Sequence, residues 1–512
     1  LDSPMIPERS AGPAHRAQTY SERTAIAAES ARDLRYRVSQ IALAPRNWTL
    51  TGRALLILVT TAVAFAPALS ANLFAVIDGS PTLYLVLLPT WAINIGYGID
   101  QNTRGRVIND KELDWIAALT IGVVVTGCIY LAMPRLLASA TLWHIELLPI
   151  LAWVFCGCIL NFGVRRSFRG WRILVFTVFC FPGTVLIIGA KLGGTPLAFS
   201  LVVAVLNSVA VWLALAHRSG RWWLTLATAM VTVLGALLLT PLSSIAGLLL
   251  PSAATSIGVA VYEFRRTGVR RSAYLAMPQR SLISVLVLGV IAVTVLALLP
   301  GPAARVRADS MVTAPADWLD RLADSNGISV DEHTRFDWGP AFMGPGGSVV
   351  RYELDVAQAP DEVLFLDVFT AESAGVLANF RGAIWYATNP PARVSDQFFR
   401  IGGVVASGSQ NGAEDVRSPE EPLWAALGWT WKTHSDEEGT RYQRIYLMKS
   451  KRAQQPYNVP LPQEPTFAGT ILGPISWLAR SPDTGESEDS NEYLDGLAVT
   501  VETILSGGDI DG

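Results

Sequence analysis

Cysteine is scarce in this sequence and absent from its second half. The four cysteines are Cys128, Cys156, Cys158 and Cys180, so a disulfide framework beyond residue 300 is excluded. Histidine is rare too, five in all, and neither an HExxH helix nor paired CxxC motifs occur. Cys156 and Cys158 form a CxC on what reads as a helix, where positions two apart point about 200° apart and do not chelate one ion. No metal and no cofactor are indicated. There is no GxxxxGK[ST] phosphate loop, and Gly344–Gly347 reads as a turn. The nearest approach to GxSxG, Ala406-Ser407-Gly408-Ser409, lacks the strand–elbow–helix setting of a serine hydrolase.

Charge is the other shortage. Charged residues make up 16% of the 512 and hydrophobic ones 51%, whereas an ordinary soluble domain carries about 25% charge. The net charge of −3 hides a division. Residues 1–300 hold 24 Lys and Arg against 12 Asp and Glu, and residues 301–512 hold 16 against 31. A single soluble globule is excluded, and so is a nucleic-acid binder with a broad basic face. The chain reads as two parts in two solvents.

What is present is a series of apolar runs, each near the roughly 20 residues that a spanning helix needs. They fall at 54–76, 81–99, 116–134, 143–163, 173–190, 197–216, 222–241, 244–264 and 281–299. The fold class expected is a polytopic α-helical membrane protein of about nine spans with a C-terminal extracytoplasmic α+β domain. Thr240-Pro241-Leu242-Ser243-Ser244 is a thin separator, and two helices or one kinked element both fit there. With the N-terminus inside, the segments 1–53, 100–115, 164–172, 217–221 and 265–280 carry 22 Lys and Arg, against Arg135 and Lys191 on the other side. That bias follows the positive-inside rule, and it puts the C-terminal part outside a bacterial plasma membrane. The division expected is a largely disordered cytoplasmic tail at 1–53, an eight-helix membrane domain at 54–264, a ninth span at 281–299 and an outer domain at 306–512. The tail lacks the short apolar core of a signal peptide. Residues 20–44 also fit an amphipathic helix lying on the inner leaflet.

In the outer part, Ser348–Val356, Val363–Phe369, Gly382–Thr388, Ile401–Ala406 and Tyr442–Met448 read as strands, and Ala314–Ala323 and Glu492–Leu505 as helices. Residues 481–492 read as an acidic edge. Seven of the 16 tryptophans lie in this part. Trp424, Trp429 and Trp431 are candidates for a sugar-stacking face, with core filling as the alternative. Trp429 and Trp431 share one face if the segment is extended. Candidate chemistry is otherwise confined to ionisable groups near the outer leaflet: Asp78, Arg135, His144, Glu146 and Lys191. Charge in that setting is costly and points to function, although Arg135, Lys191 and Asp78 also suit interfacial anchoring.

Some local texture matches a known pair of modules. Asp114-Trp115-Ile116-Ala117-Ala118-Leu119 opens the third span, and Arg169-Gly170-Trp171-Arg172 leads into an apolar run with Phe181-Pro182. Beyond the spans come Ser409-Gln410, Arg417-Ser418-Pro419-Glu420-Glu421-Pro422 and Gly428-Trp429. With the layout, these fragments resemble an exosortase/archaeosortase-like membrane protein fused to its C-terminal-associated exopolysaccharide domain, over about 450 residues by topology. The resemblance implies an envelope role in exopolysaccharide assembly. The family places a nucleophilic cysteine where this chain has Ala190-Lys191-Leu192-Gly193-Gly194, and an outer-face arginine where it has Leu239–Leu248. Arg417 and Pro422 stand in place of the accessory motif's His and Cys. No catalytic residue carries over.

Three readings of function follow. The first is a non-catalytic membrane component of cell-envelope or exopolysaccharide assembly, set in the lipid bilayer, whose outer domain binds a glycan or an envelope protein. The second is an enzyme at the outer leaflet, a glycosyltransferase, polymerase or sorting transpeptidase acting on a membrane-anchored substrate. It would use Glu146 or Asp78 as base, with Arg135 or Lys191 holding a phosphate. The third is a transporter built on the Pro- and Gly-bearing spans.

Overall fold

The computed structural model describes residues 50–77, 79–101, 111–133, 137–267, 279–298, 311–324, 328–357, 362–380, 382–386, 393–401, 403–410, 422–435, 439–452, 454–478 and 489–507. The tail before residue 50, Asp78, Arg135, the Arg417 motif up to Glu421 and most of the acidic edge lie outside them.

The first part is helical. It runs α1 (Leu50–Ala64), α2 (Ala66–Ile77), a 3-10 turn (Pro81–Leu87) continuing into α3 (Leu88–Gln101), α4 (Lys111–Ala132) and α5 (Leu137–Trp143). A second 3-10 turn (Ile145–Leu147) leads into α6 (Leu148–Phe162), followed by α7 (Val164–Arg169), α8 (Trp171–Phe179) and α9 (Pro182–Lys191). Then come α10 (Pro196–Ala214), α11 (Arg221–Leu239), α12 (Ser244–Thr267) and α13 (Gln279–Leu298). Among the described residues five helices are long and apolar enough to cross a membrane, and counting each of two bent pairs as one span gives up to seven. The chain is thus consistent with a multi-pass membrane protein.

Proline accounts for the main departures from uniform spans. The run expected at 173–190 bends by 45° between α8 and α9. Phe181 there is extended ahead of Pro182 (φ −63°, ψ 147°), because a proline ring disfavours helical backbone in the residue before it. The run expected at 54–76 turns by 86° between α1 and α2, beside Pro67, which has no N–H to continue the ladder. The Pro81–Gly96 and Ile283–Leu296 segments are shorter apolar helices. The thin separator at 240–243 joins two helices. Thr232 Oγ1 on α11 lies 3.0 Å from Thr255 Oγ1 on α12, and Gly235 sits beneath Pro251, so the pair packs antiparallel.

The C-terminal part is built on one mixed sheet of eight strands. They are β1 (Thr313–Pro315), β2 (Ile328–Arg335), β3 (Ser348–Val356), β4 (Val363–Ala371), β5 (Arg393–Ile401), β6 (Val404–Gln410), β7 (Trp424–Ser435) and β8 (Gly439–Ser450). Their order is β2-β3-β4-β8-β7-β6-β5, with β1 parallel to β7 and the other pairings antiparallel. Its helices are α14 (Trp318–Asp324), α15 (Gly339–Met343), α16 (Ala374–Asn379), α17 (Phe467–Leu478) and α18 (Asp489–Gly507). Alternate residues feed two cores. Leu366, Leu427, Trp429 and Leu447 pack with Leu494, Leu497 and Val501 of α18. Phe365, Phe369, Trp424 and Met448 face Leu142, Leu186 and Ile187 at the helix ends. Covered on both faces, β4 runs apolar almost without interruption.

Two of the expected strands differ. Gly382–Thr388 begins instead with a 3-10 turn, Gly382–Trp385, because the Trp385 indole N–H donates back to the Phe380 carbonyl (3.2 Å) and its ring stacks on Phe369 and Trp338. Ile401–Ala406 straddles a hairpin turn: Ile401 pairs with Val404, and Gly403 takes φ +79°, which glycine adopts without steric cost. Ala314 belongs to β1 rather than to a helix, since buried pairing with Thr433 holds it extended.

Candidate functional site

The sheet domain sits directly on one end of the helical bundle. Asn379 Nδ2 donates to Ser80 Oγ (2.9 Å), and Ser373 Oγ donates to the Gly79 carbonyl (3.4 Å). Trp143 packs against Phe467, with ring centroids 5.9 Å apart. A Cβ on Gly194 would fall 1.9 Å from the Ala341 carbonyl oxygen, so only glycine allows the α9–α10 turn to meet α15. Between these contacts, Leu142, Leu186, Ile187 and Ala190 share one core with Phe342, Met343 and Trp385. The partners across this seam are not legible in the sequence, because they lie far apart in the chain and look like ordinary apolar residues.

Two of the candidate ionisable residues meet at this end of the bundle. His144 Nδ1 lies 3.1 Å from Glu146 Oε1, with the two side chains 2% and 14% exposed. His144 is the one non-glycine residue with positive φ among the described residues (φ 47°), a conformation that costs roughly 1–2 kcal/mol. A carboxylate accepting from Nδ1–H leaves Nε2 as an acceptor, and Nε2 is buried without a hydrogen-bond partner among the described residues. The pair has the composition of a general acid/base couple. Lys191 does not join it: its Nζ lies 2.7 Å from Glu464 Oε1 of the sheet domain. Lys191 thereby makes an inter-module contact.

The tryptophan face needs correction. Trp424, Trp429 and Trp431 are all buried, at 0%, 1% and 0% exposure. Trp429 and Trp431 do share a face, 5.9 Å apart, but that face is packed beneath α18. Trp431 and Trp318 both donate their indole N–H to Gln443 Oε1, each at 2.9 Å. None of the three presents a ring on which a sugar stacks. They fill a sheet covered on both sides, and that is the physical reason they are there.

Several polar constellations were not singled out from the sequence. Arg351 and Asp367 form a buried pair in the sheet. In the bundle, Trp91 Nε1 donates to Asn207 Oδ1 (2.9 Å) and to Ser256 Oγ (3.0 Å), and Asn207 Nδ2 donates to Thr255 Oγ1 (2.8 Å). That network ties α3, α10 and α12 together as interhelical glue. At the bundle's other end, Arg218 Nε lies 2.8 Å from Glu263 Oε1, and His217 Nε2 lies 3.4 Å from Glu263 Oε2. An Asn or Glu inside an apolar run was the available signal. Asp114, part of the fragment opening the third span, accepts the Val164 N–H (2.8 Å) at the start of α7. Cys156 and Cys158 diverge, Cys156 Sγ donating to the Ala118 carbonyl (3.0 Å) while Cys158 lines a cavity elsewhere. Among the described residues no three His, Cys, Asp or Glu gather as a metal site would need.

No family model, no curated protein and no solved structure matches this chain.

Proposed function

We propose that this protein is a non-catalytic component of bacterial envelope or exopolysaccharide assembly, a multi-pass plasma-membrane protein of nine spans. Its basic loops face the cytoplasm, and its sheet domain stands outside as a fixed platform for a glycan or an envelope protein. The seam carries this reading. A domain that shares a core with the helix ends and meets them through Ser80, Gly194 and Lys191 is held in one orientation to the bilayer, which suits a scaffold better than a tethered module. The basic segments near Arg169 and Arg218 lie at the opposite end of the bundle, and this supports the orientation. The missing nucleophile at Ala190–Gly194 supports the non-catalytic reading, and the resemblance supplies the pathway.

The His144–Glu146 pair, part-buried at the seam end, favours one second reading, acid–base chemistry on a membrane-anchored substrate. Variants separate the two. Asparagine tolerates the left-handed backbone, so His144→Asn removes the imidazole while keeping that conformation. In a producing strain, a scaffold retains its surface polysaccharide with His144→Asn or Glu146→Gln and loses it when the seam is broken by Gly194→Val. Loss of polysaccharide with correctly folded His144→Asn and Glu146→Gln proteins sinks the scaffold in favour of the enzyme.

A further inference from the structure

A cavity of about 660 Å³, open to the side where Leu73 and Val86 are exposed, runs along the helical bundle between α1–α2, the 3-10 turn with α3, α6 and α8. One stripe of the second 3-10 turn and α6 lines it from end to end: Leu147, Leu151, Val154, Cys158 and Phe162. At 1.5 Å per residue that stripe covers about 22 Å, most of a hydrocarbon core. The facing wall, from Thr82 through Pro89 and Ile93 to Gly96, is just as long. The space therefore extends from the seam end of the bundle to its arginine-bearing end.

Its lining is apolar with polar groups set apart. Among the described lining residues Arg169 is the one charge. It is exposed and makes no salt bridge among the described residues, and Arg165 and Arg172 are exposed beside it in sequence. Ser167 lines the same end; it is 8% exposed, and its hydroxyl lacks a hydrogen-bond partner among the described residues. Asn72 on α2 lines the cavity as well, 8% exposed and with Oδ1 equally unpartnered. Buried polar atoms without partners are costly and usually bonded, and here two of them face one apolar space.

We infer that this cavity binds a long-chain lipid phosphate, its hydrocarbon chain lying along α6 and α3 and its phosphate at Arg169 with Ser167. An apolar sleeve of this length fits one extended chain, and arginine recognises phosphate through paired N–H donors. The assignment is independent of the scaffold reading, because it concerns the bundle alone.

The test uses the full chain purified in detergent and titrated with hexadecyl phosphate, hexadecanol and hexadecylphosphocholine, with bound ligand counted by native mass spectrometry. Hexadecyl phosphate binds at least ten-fold more tightly than either comparator. Arg169→Gln, an exposed change that leaves the fold intact, removes that preference, while Arg265→Gln at the same end of the bundle leaves it unchanged. Val154→Trp fills the sleeve and abolishes binding of all three. Equal affinity for hexadecyl phosphate and hexadecanol, or equal effects of Arg169→Gln and Arg265→Gln, overturns the assignment. Zwitterionic hexadecylphosphocholine binding as tightly as the phosphate shows ordinary bilayer lipid in the cavity, and also overturns it.

Discussion

Arg351 and Asp367 face each other from neighbouring strands, Nε to Oδ1 and Nη2 to Oδ2 both at 2.6 Å, and neither is more than 1% exposed. Tyr386 Oη donates to the same carboxylate (2.7 Å), and Arg351 Nη2 donates to the Pro460 carbonyl (2.8 Å). Burial lowers the Arg351 pKa, but the Asp367 charge and hydrogen bonds outweigh it and raise the guanidinium above its ordinary value. Removing one partner strands the other charge in the core, so Asp367→Asn should destabilise the sheet domain by about 3–5 kcal/mol. The double change Arg351→Met with Asp367→Leu should recover most of that loss. Denaturant unfolding of the full chain, followed by tryptophan fluorescence, measures both.

The Gly194 position predicts a different failure. A side chain there collides with the backbone at Ala341, and the residue also holds φ +65°. Gly194→Val should leave each part folded while separating them. Limited proteolysis of the detergent-solubilised protein should then cut faster near residues 192–195 and 338–344, with the circular dichroism spectrum unchanged.

Lys191 and Glu464 should matter far less than their 2.7 Å separation suggests. Their side chains are 48% and 33% exposed, and exposed pairs contribute about 0–1 kcal/mol, less in salt. Lys191→Ala should therefore shift the unfolding midpoint only slightly, and the shift should shrink as sodium chloride is raised. A large, salt-insensitive loss would mark Lys191 as more than a surface contact.

Lys451 gives the sheet domain a pH dependence with a definite sign. Burial lowers its pKa from 10.5 to about 8, and its Nζ lies 5.4 Å from the Tyr493 ring on α18. Between those two values the unfolded chain holds a proton that the folded chain has released, so stability rises with pH across that window. Below about pH 8 that contribution is absent. Lys451→Met should flatten the slope in unfolding curves taken from pH 7.5 to 10.5.

Periodicity and composition made much of the architecture legible. The apolar runs fell on helical segments, of which five to seven are spans by length and composition among the described residues, and β3, β4 and β8 were readable because Val, Phe, Leu and Tyr at strand length leave few alternatives. Two expectations slipped at a local breaker: Pro182 bends one helix pair, and the turn at Gly403 reverses the chain inside what looked like a single strand. Site residues were harder to read. His144 and Glu146 are two apart and could be paired from sequence, but Arg351 and Asp367 become partners only through the β3–β4 register. Burial was least visible of all, and it turned Trp424, Trp429 and Trp431 from a surface into a core.

The parallel pairing of β1 with β7 has a consequence for biosynthesis. Thr313 follows closely on the last apolar helix, yet its partner is Lys432. A ribosome delivering this chain has released all the helices of the bundle long before the strand that receives β1 exists. Two central strands, β7 and β8, arrive among the last elements, and α18, which closes one core, comes after them. Contacts between distant residues form slowly, so the sheet domain has to remain open until synthesis is nearly finished. A chain cut short before residue 424 could place its helices in the membrane but could not complete the sheet.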